Sequence, residues 1–206
     1  MHALLFLDTE TTGLDTGLDR IVQLSTRLVL PHGSQDYNQL VRPGNFAIPA
    51  AATRIHGITA QVASLHGTSI IQVLEDLSSQ IEQADIIVGH NVEYDIAIII
   101  AEAKRNSYHD LVATLTHPRF GLDGGRRAAI CTQRLAAEYF RFLGESPSLS
   151  DTKLTTVYQR LFLEELVGAH DAMVDVIACQ QVYNHLRSFQ LEHELEFQAD
   201  IICLDD

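Results

Sequence analysis

Basic side chains are scarce in this sequence. Across 206 residues, 14 lysines and arginines stand against 27 aspartates and glutamates, a formal charge of −13. A protein that coats nucleic acid usually carries a basic face, because phosphate contacts supply most of the affinity. Two readings follow. One is an acidic globular protein that never meets nucleic acid. The other is an enzyme that grips only a few nucleotides at a strand end, where divalent cations provide the local positive charge.

Cysteine is equally sparse. Cys131, Cys179 and Cys203 are widely spaced with no Cys-x-x-Cys pair, which argues against a zinc knuckle and a thioredoxin-type redox centre. Free, mostly buried thiols are expected. No stretch approaches the roughly 18 consecutive apolar residues of a membrane span. The apolar run Ala3-Leu7 is too short for a signal peptide, lacks a basic leader and stops at an acid. The expectation is a cytoplasmic protein without membrane contact. The length suits one domain, placed at 1–189, followed by an acidic tail at 190–206 that is either helical or a loose extension.

What is present is a pattern of strands and helices. Ala3-Leu7 reads as a strand buried on both faces, Ile21-Leu30 as a second strand with one partly wet face, and Tyr37-Val41 as a third. Short connections make the three an antiparallel meander. A loop over Asn45-Gly57 precedes a helix over Ile70-Gln83, whose apolar residues recur at helical spacing. Asp85-Gly89 is a fourth strand feeding a helix at Val92-Asn106, and this crossover implies a strand parallel to the first. Tyr108-Arg127 reads as an irregular functional loop. A short strand at Ala128-Cys131 and helices near Gln133-Leu143, Leu154-Leu163 and Asp171-Phe189 complete the chain. The order predicts an α/β domain with a mixed five-stranded sheet flanked by helices, the pattern of the ribonuclease H-like fold.

Three segments carry chemistry. In Phe6-Leu7-Asp8-Thr9-Glu10-Thr11-Thr12-Gly13-Leu14 a buried strand ends in two acids one residue apart. Side chains alternate along a strand, so Asp8 and Glu10 share a face and repel unless a cation lies between them. Hard cations such as Mg²⁺ take such oxygen ligands. In Val88-Gly89-His90-Asn91-Val92-Glu93-Tyr94-Asp95 an acid follows another buried strand, in the opening turns of a helix. Alone, Asp95 could equally serve the helix dipole; Glu93 reads as exposed and His90 as packing a loop. In His170-Asp171-Ala172-Met173-Val174-Asp175, His170 shares a side with Asp175 only if it precedes the helix, with Asp171 as N-cap. Each segment alone also fits ordinary surface acids and caps.

In this order, the three segments resemble the three exonuclease motifs of the DEDDh family, which includes proofreading subunits of bacterial DNA polymerases. Ile48-Pro49 and Ile55-His56-Gly57-Ile58-Thr59 resemble the stretch between the first two motifs, and the match runs from about Leu4 to Leu186. The resemblance implies a 3′-to-5′ exonuclease in which Asp8, Glu10, Asp95 and Asp175 hold two Mg²⁺ or Mn²⁺ ions and His170 is the general base. It also implies that Thr11, Thr12, Gly13 and Leu14 touch the terminal nucleotide, with backbone amides near Thr12 at the 3′-hydroxyl and Leu14 on the base, although by its type alone Leu14 equally fits a plain packing residue. His56, Thr59 and Asn91 are further contacts. The expected partner is the 3′ end of single-stranded DNA, with RNA 3′ ends as the alternative substrate and a non-catalytic binding domain as a further alternative. A role in DNA repair, a polymerase partner and a homodimer stay open. The most basic stretch, Pro118-Arg127 with Lys104 and Arg105 before it, is either a contact to the substrate backbone or a solvated loop. Cys131-Thr132 stands where relatives often have Asp-Thr, outside the catalytic acids.

Overall fold

A computed structural model describes residues 2–117 and 128–195. The strands are β1 (Leu4–Thr11), β2 (Ile21–Leu30), β3 (Gly33–Leu40), β4 (Ile86–Gly89) and β5 (Ala128–Cys131). The helices are α1 (Ala50–His56), α2 (Ala60–His66), α3 (Ile70–Gln83), α4 (Val92–Arg105), α5 (His109–Leu115), α6 (Thr132–Phe142), α7 (Leu154–Phe162) and α8 (Ala172–Glu192). The sheet order is β3-β2-β1-β4-β5. β1 to β3 form an antiparallel meander, while β4 and β5 run parallel to β1. This is the expected mixed five-stranded sheet of the ribonuclease H-like fold.

The period-2 alternation of β1 divides the core in two. Leu5 and Leu7 face one side and pack with Leu74, Leu77 and Ile81 of α3 and Ile96 and Ile99 of α4. Phe6 faces the other and packs with Phe140 of α6, Val157 of α7 and Val176, Val182 and Leu186 of α8. Continued along the strand, the same alternation sends Thr9 and Thr11 toward the α4 side and Asp8 and Glu10 toward the α8 side. Helices thus close on the end of β1 from both faces.

Several local expectations are corrected. β2 is partly exposed only toward its end, at Arg27, Val29 and Leu30; Ser25 and Thr26 are fully buried, satisfied by Asn38 and by Gln80 of α3. β3 begins at Gly33 rather than Tyr37. The expected loop at Asn45-Gly57 contains α1, and α2 follows it; each buries a single alanine, Ala52 or Ala63, so neither shows an apolar stripe. The start of the expected irregular region Tyr108-Arg127 is α5, anchored by Leu111 and Leu115, while Pro118-Arg127 lies outside the described residues, as does Cys203. α8 continues to Glu192, past the expected boundary at residue 189. Cys131 and Cys179 are free and buried. Among the described residues, no helix is long and apolar enough to cross a membrane.

Candidate active site

The site lies at the C-terminal end of β1. The β1–β2 register shifts between Glu10 and Thr11, an irregularity of the kind that re-aims side chains beside active sites. β4 reaches the same edge and turns at once into α4. Gly89 permits that turn: a Cβ there would meet Val92 at 2.8 Å and the Leu7 carbonyl at 3.2 Å. Asn91 completes it in the left-handed region, at φ 66°, without capping the helix through its side chain. The next turn of α4 brings Asp95 back to β1, where Asp95 Oδ1 accepts from the Thr9 amide at 3.0 Å and the Thr9 hydroxyl at 2.7 Å.

The third segment arrives on α8. Asp171 is its N-cap, accepting from the amides of Met173 and Val174. His170 precedes the helix in the left-handed region, at φ 69°, and its amide donates to Asp175 Oδ2 at 3.0 Å. Its ring is exposed, and one ligand atom from each of Glu10, His170 and Asp175 lies within 4.8 Å of the others. Asp175 Oδ1 is buried with no hydrogen-bond partner. Such an orphaned carboxylate oxygen is costly unless a cation or proton meets it.

The electrostatics reflect this crowding. Burial, then the carboxylates of Asp95, Asp175 and Glu10, hold Asp8 well above the ordinary range. Burial, then Asp175 and Asp95, push Glu10 up to about 8. Burial raises Asp95 to about 7 against the opposing pull of the Thr9 hydrogen bonds. Asp175 is also raised, by burial, with the His170 amide opposing. Four carboxylates that resist ionisation together, with an unpartnered oxygen among them, fit hard divalent cations.

A family model described as an exonuclease (RNase_T) matches residues 5–183. The chain belongs to this exonuclease family. Among curated proteins no significant sequence match is found. Solved structures of exonuclease I share the fold. One is the E. coli enzyme with a dT13 oligonucleotide, at a TM-score of 0.76 and 22% identity over 94% of this chain and 43% of that one. Another is the moderately thermophilic exonuclease I of Methylocaldum szegediense, at 0.71 and 19% over 93% and 42%. The chain spans less than half the length of these relatives. The DEDD-type assignment within the ribonuclease H-like superfamily holds.

The other candidate residues occupy varied places. Leu14 is 88% exposed. The Thr12 amide already donates to the Arg20 carbonyl at 3.0 Å, and its hydroxyl to Asp19 at 2.7 Å, so this amide is not free for a 3′-hydroxyl. A Cβ at Gly13 would lie 2.6 Å from Asp19 Oδ2, so the Asp19 side chain would have to shift. Thr59 caps α2 by accepting from the Val62 amide. His56 Nδ1 accepts from Ile58, while its Nε2 is buried and unpartnered; burial lowers the affinity of His56 for a proton, with His170 adding to the effect and the Thr11 backbone opposing it. Asn91 is exposed.

Of the two neighbouring residues, Glu93 departs from expectation and His90 packs a loop as expected. Glu93 is not an exposed acid but pairs with Arg134 at 2.6 Å. His90 bridges elements: its ring nitrogens meet the Thr132 hydroxyl at 2.9 Å and the Thr152 carbonyl at 2.8 Å, and burial lowers it to about 4. Glu102 and Arg20, which the linear pattern did not flag, hold the β1–β2 turn together with Arg105. Arg105, expected beside the basic loop as a substrate contact, is instead bonded to this turn. Glu102 of α4, 1% exposed, grips Arg20 with both oxygens at 2.6 and 3.1 Å. Arg105 donates to the carbonyls of Thr16, Gly17 and Asp19.

Proposed function

We propose that the chain hydrolyses phosphodiester bonds at 3′ ends of single-stranded DNA, working 3′ to 5′ and releasing nucleoside 5′-monophosphates. The observation that carries the reading is the meeting of Glu10, His170 and Asp175 at the end of β1, with Asp8 and Asp95 in the same charged cluster and a buried oxygen of Asp175 unpartnered. Asp8, Glu10, Asp95 and Asp175 would hold two Mg²⁺ or Mn²⁺ ions. When bound, such a pair favours attack by water on one side of the phosphorus and departure of the 3′-oxygen on the other.

The protein's own groups supply the rest. The His170 ring accepts a proton from the attacking water, as a histidine can near pH 7. The P–O3′ bond to the penultimate nucleotide breaks, and the departing 3′-oxygen takes a proton from solvent. The Thr9 bonds aim Asp95, and the His170 amide aims Asp175. Leu14, exposed beside the site, packs on the terminal base, which would otherwise lose its stacking. Solved complexes of exonuclease I with dT13 and dA16 oligonucleotides support single-stranded DNA as substrate, and its zinc-bound complex with single-stranded DNA supports metal dependence. With a charge of −13, little grip beyond the metal-held end is expected.

The test uses 5′-labelled DNA and RNA oligonucleotides, single- and double-stranded, with Mg²⁺ or Mn²⁺. The expected result is a ladder shortening from the 3′ end of single-stranded DNA, abolished by EDTA and by Asp8→Ala or Asp175→Ala. Intact substrates throughout would refute the reading. Cleavage of RNA alone would reassign the substrate.

A further inference from the structure

We infer that Tyr94 is a positioning residue of this exonuclease, its hydroxyl latching the turn Thr11–Gly13 into the shape that receives the strand end. The inference rests on the proposed function. Tyr94 immediately precedes Asp95 on α4, and its ring is half-buried. Its hydroxyl donates to the Gly13 carbonyl at 2.6 Å and meets the Thr11 hydroxyl at 2.7 Å. The Thr11 hydroxyl also lies 2.7 Å from the Gly13 carbonyl. Three oxygens, two from the turn and one from α4, therefore close a triangle one residue past Glu10 in the chain.

This triangle makes the opening of α4 grip β1 twice. Asp95 holds Thr9, and Tyr94 holds Thr11 and Gly13, so Glu10 lies between two clamped neighbours. The far half of the turn is fixed separately. Asp19 accepts from the Thr12 hydroxyl and the Asp15 amide, and Arg105 holds three carbonyls. Tyr94 is thus the link that ties the near half of the turn, and with it Leu14, to the helix carrying a metal-site acid. A phenylalanine would keep the ring's packing and lose only this tie. Without it the turn samples other shapes, and ordering it must be paid from substrate binding.

The experiment compares wild type, Tyr94→Phe, Thr11→Val and the double variant. It measures steady-state cleavage of a single-stranded DNA oligonucleotide with Mg²⁺, inhibition by thymidine 5′-monophosphate, and thermal melting. For Tyr94→Phe the expected result is a roughly tenfold rise in both KM and the inhibition constant, the size of one lost hydrogen bond. The fall in kcat should be under threefold, with melting little changed. Thr11→Val should act through the same triangle, so the double variant should be no worse than the worse single one. Unchanged KM and inhibition constant overturn the inference. So does a loss confined to kcat, or a loss that follows melting temperature. A wild type that cleaves nothing overturns the exonuclease reading and this inference with it, whereas an active wild type with an indifferent Tyr94→Phe overturns the latch alone.

Discussion

Raising the pH without divalent cations should destabilise this protein, and the acid cluster sets the size of the effect. Glu10 is carried from 4.5 to about 8 by burial and by Asp175 and Asp95. A raised carboxylate binds its proton more tightly folded than unfolded, so its contribution is fully present below about 4.5 and is lost as pH rises toward about 8. At about 1.4 kcal/mol for each tenfold change in proton affinity, Glu10 accounts for at most about 5 kcal/mol. Asp95, raised to about 7 by burial, is itself one of the charges that raise Glu10, so the two are not added. For a chain of this length each kcal/mol moves the melting temperature by about 2–4 °C, which gives a fall of up to about 10–20 °C. Divalent cations should reverse it. Mg²⁺ at a hundredfold its dissociation constant contributes about 2.7 kcal/mol, and protons should compete that gain away near pH 5. The assay is thermal melting between pH 5.0 and 8.5 in EDTA or Mg²⁺. Comparison with Glu10→Gln isolates the cluster from histidine titration elsewhere. If wild type and Glu10→Gln show the same pH dependence in EDTA, or the Mg²⁺ shift is equal at both ends of the range, the reasoning is wrong.

Removing His170 as His170→Ala should slow cleavage by about 10²–10⁴-fold while Mn²⁺ still binds; calorimetry and single-turnover kinetics check both halves, and an unchanged rate removes it from the chemistry. Thr9→Val keeps the amide bond to Asp95 but loses the hydroxyl bond at 2.7 Å. The Asp95 proton affinity should rise, the acidic limb of the pH–rate profile should move to higher pH, and kcat/KM should fall about tenfold. Glu102→Gln weakens the charge-assisted hold on Arg20 and should cost about 2 kcal/mol, read as a fall in melting temperature of about 4–8 °C. Gly13→Ala would drive a methyl group into Asp19, so KM should rise well before stability is lost.

The three acidic segments and most of the strands were legible in the sequence because they depend on local periods. Two acids one residue apart at the end of a strand share a face wherever that strand lies. The stripe in Ile70–Gln83 predicts α3 to its ends because Val73, Leu74, Leu77 and Ile81 must all turn inward. The helices α1, α2 and α5 escaped notice because seven residues with one or two buried side chains make no period. Only the tertiary structure decided how the acids are aimed. Asp95 reaches Thr9 across 86 positions, Tyr94 reaches Gly13 across 81, and Arg105 holds a turn 86 to 89 positions before it. Such contacts arise from packing α4 across the end of β1, and no spacing along the chain encodes them. Packing of α4 on one face of β1 and α8 on the other crowds four carboxylates and an unpartnered Asp175 oxygen together. The sequence by itself determined which residues carry charge and on which face of their own element; the meeting of those faces was decided by the fold.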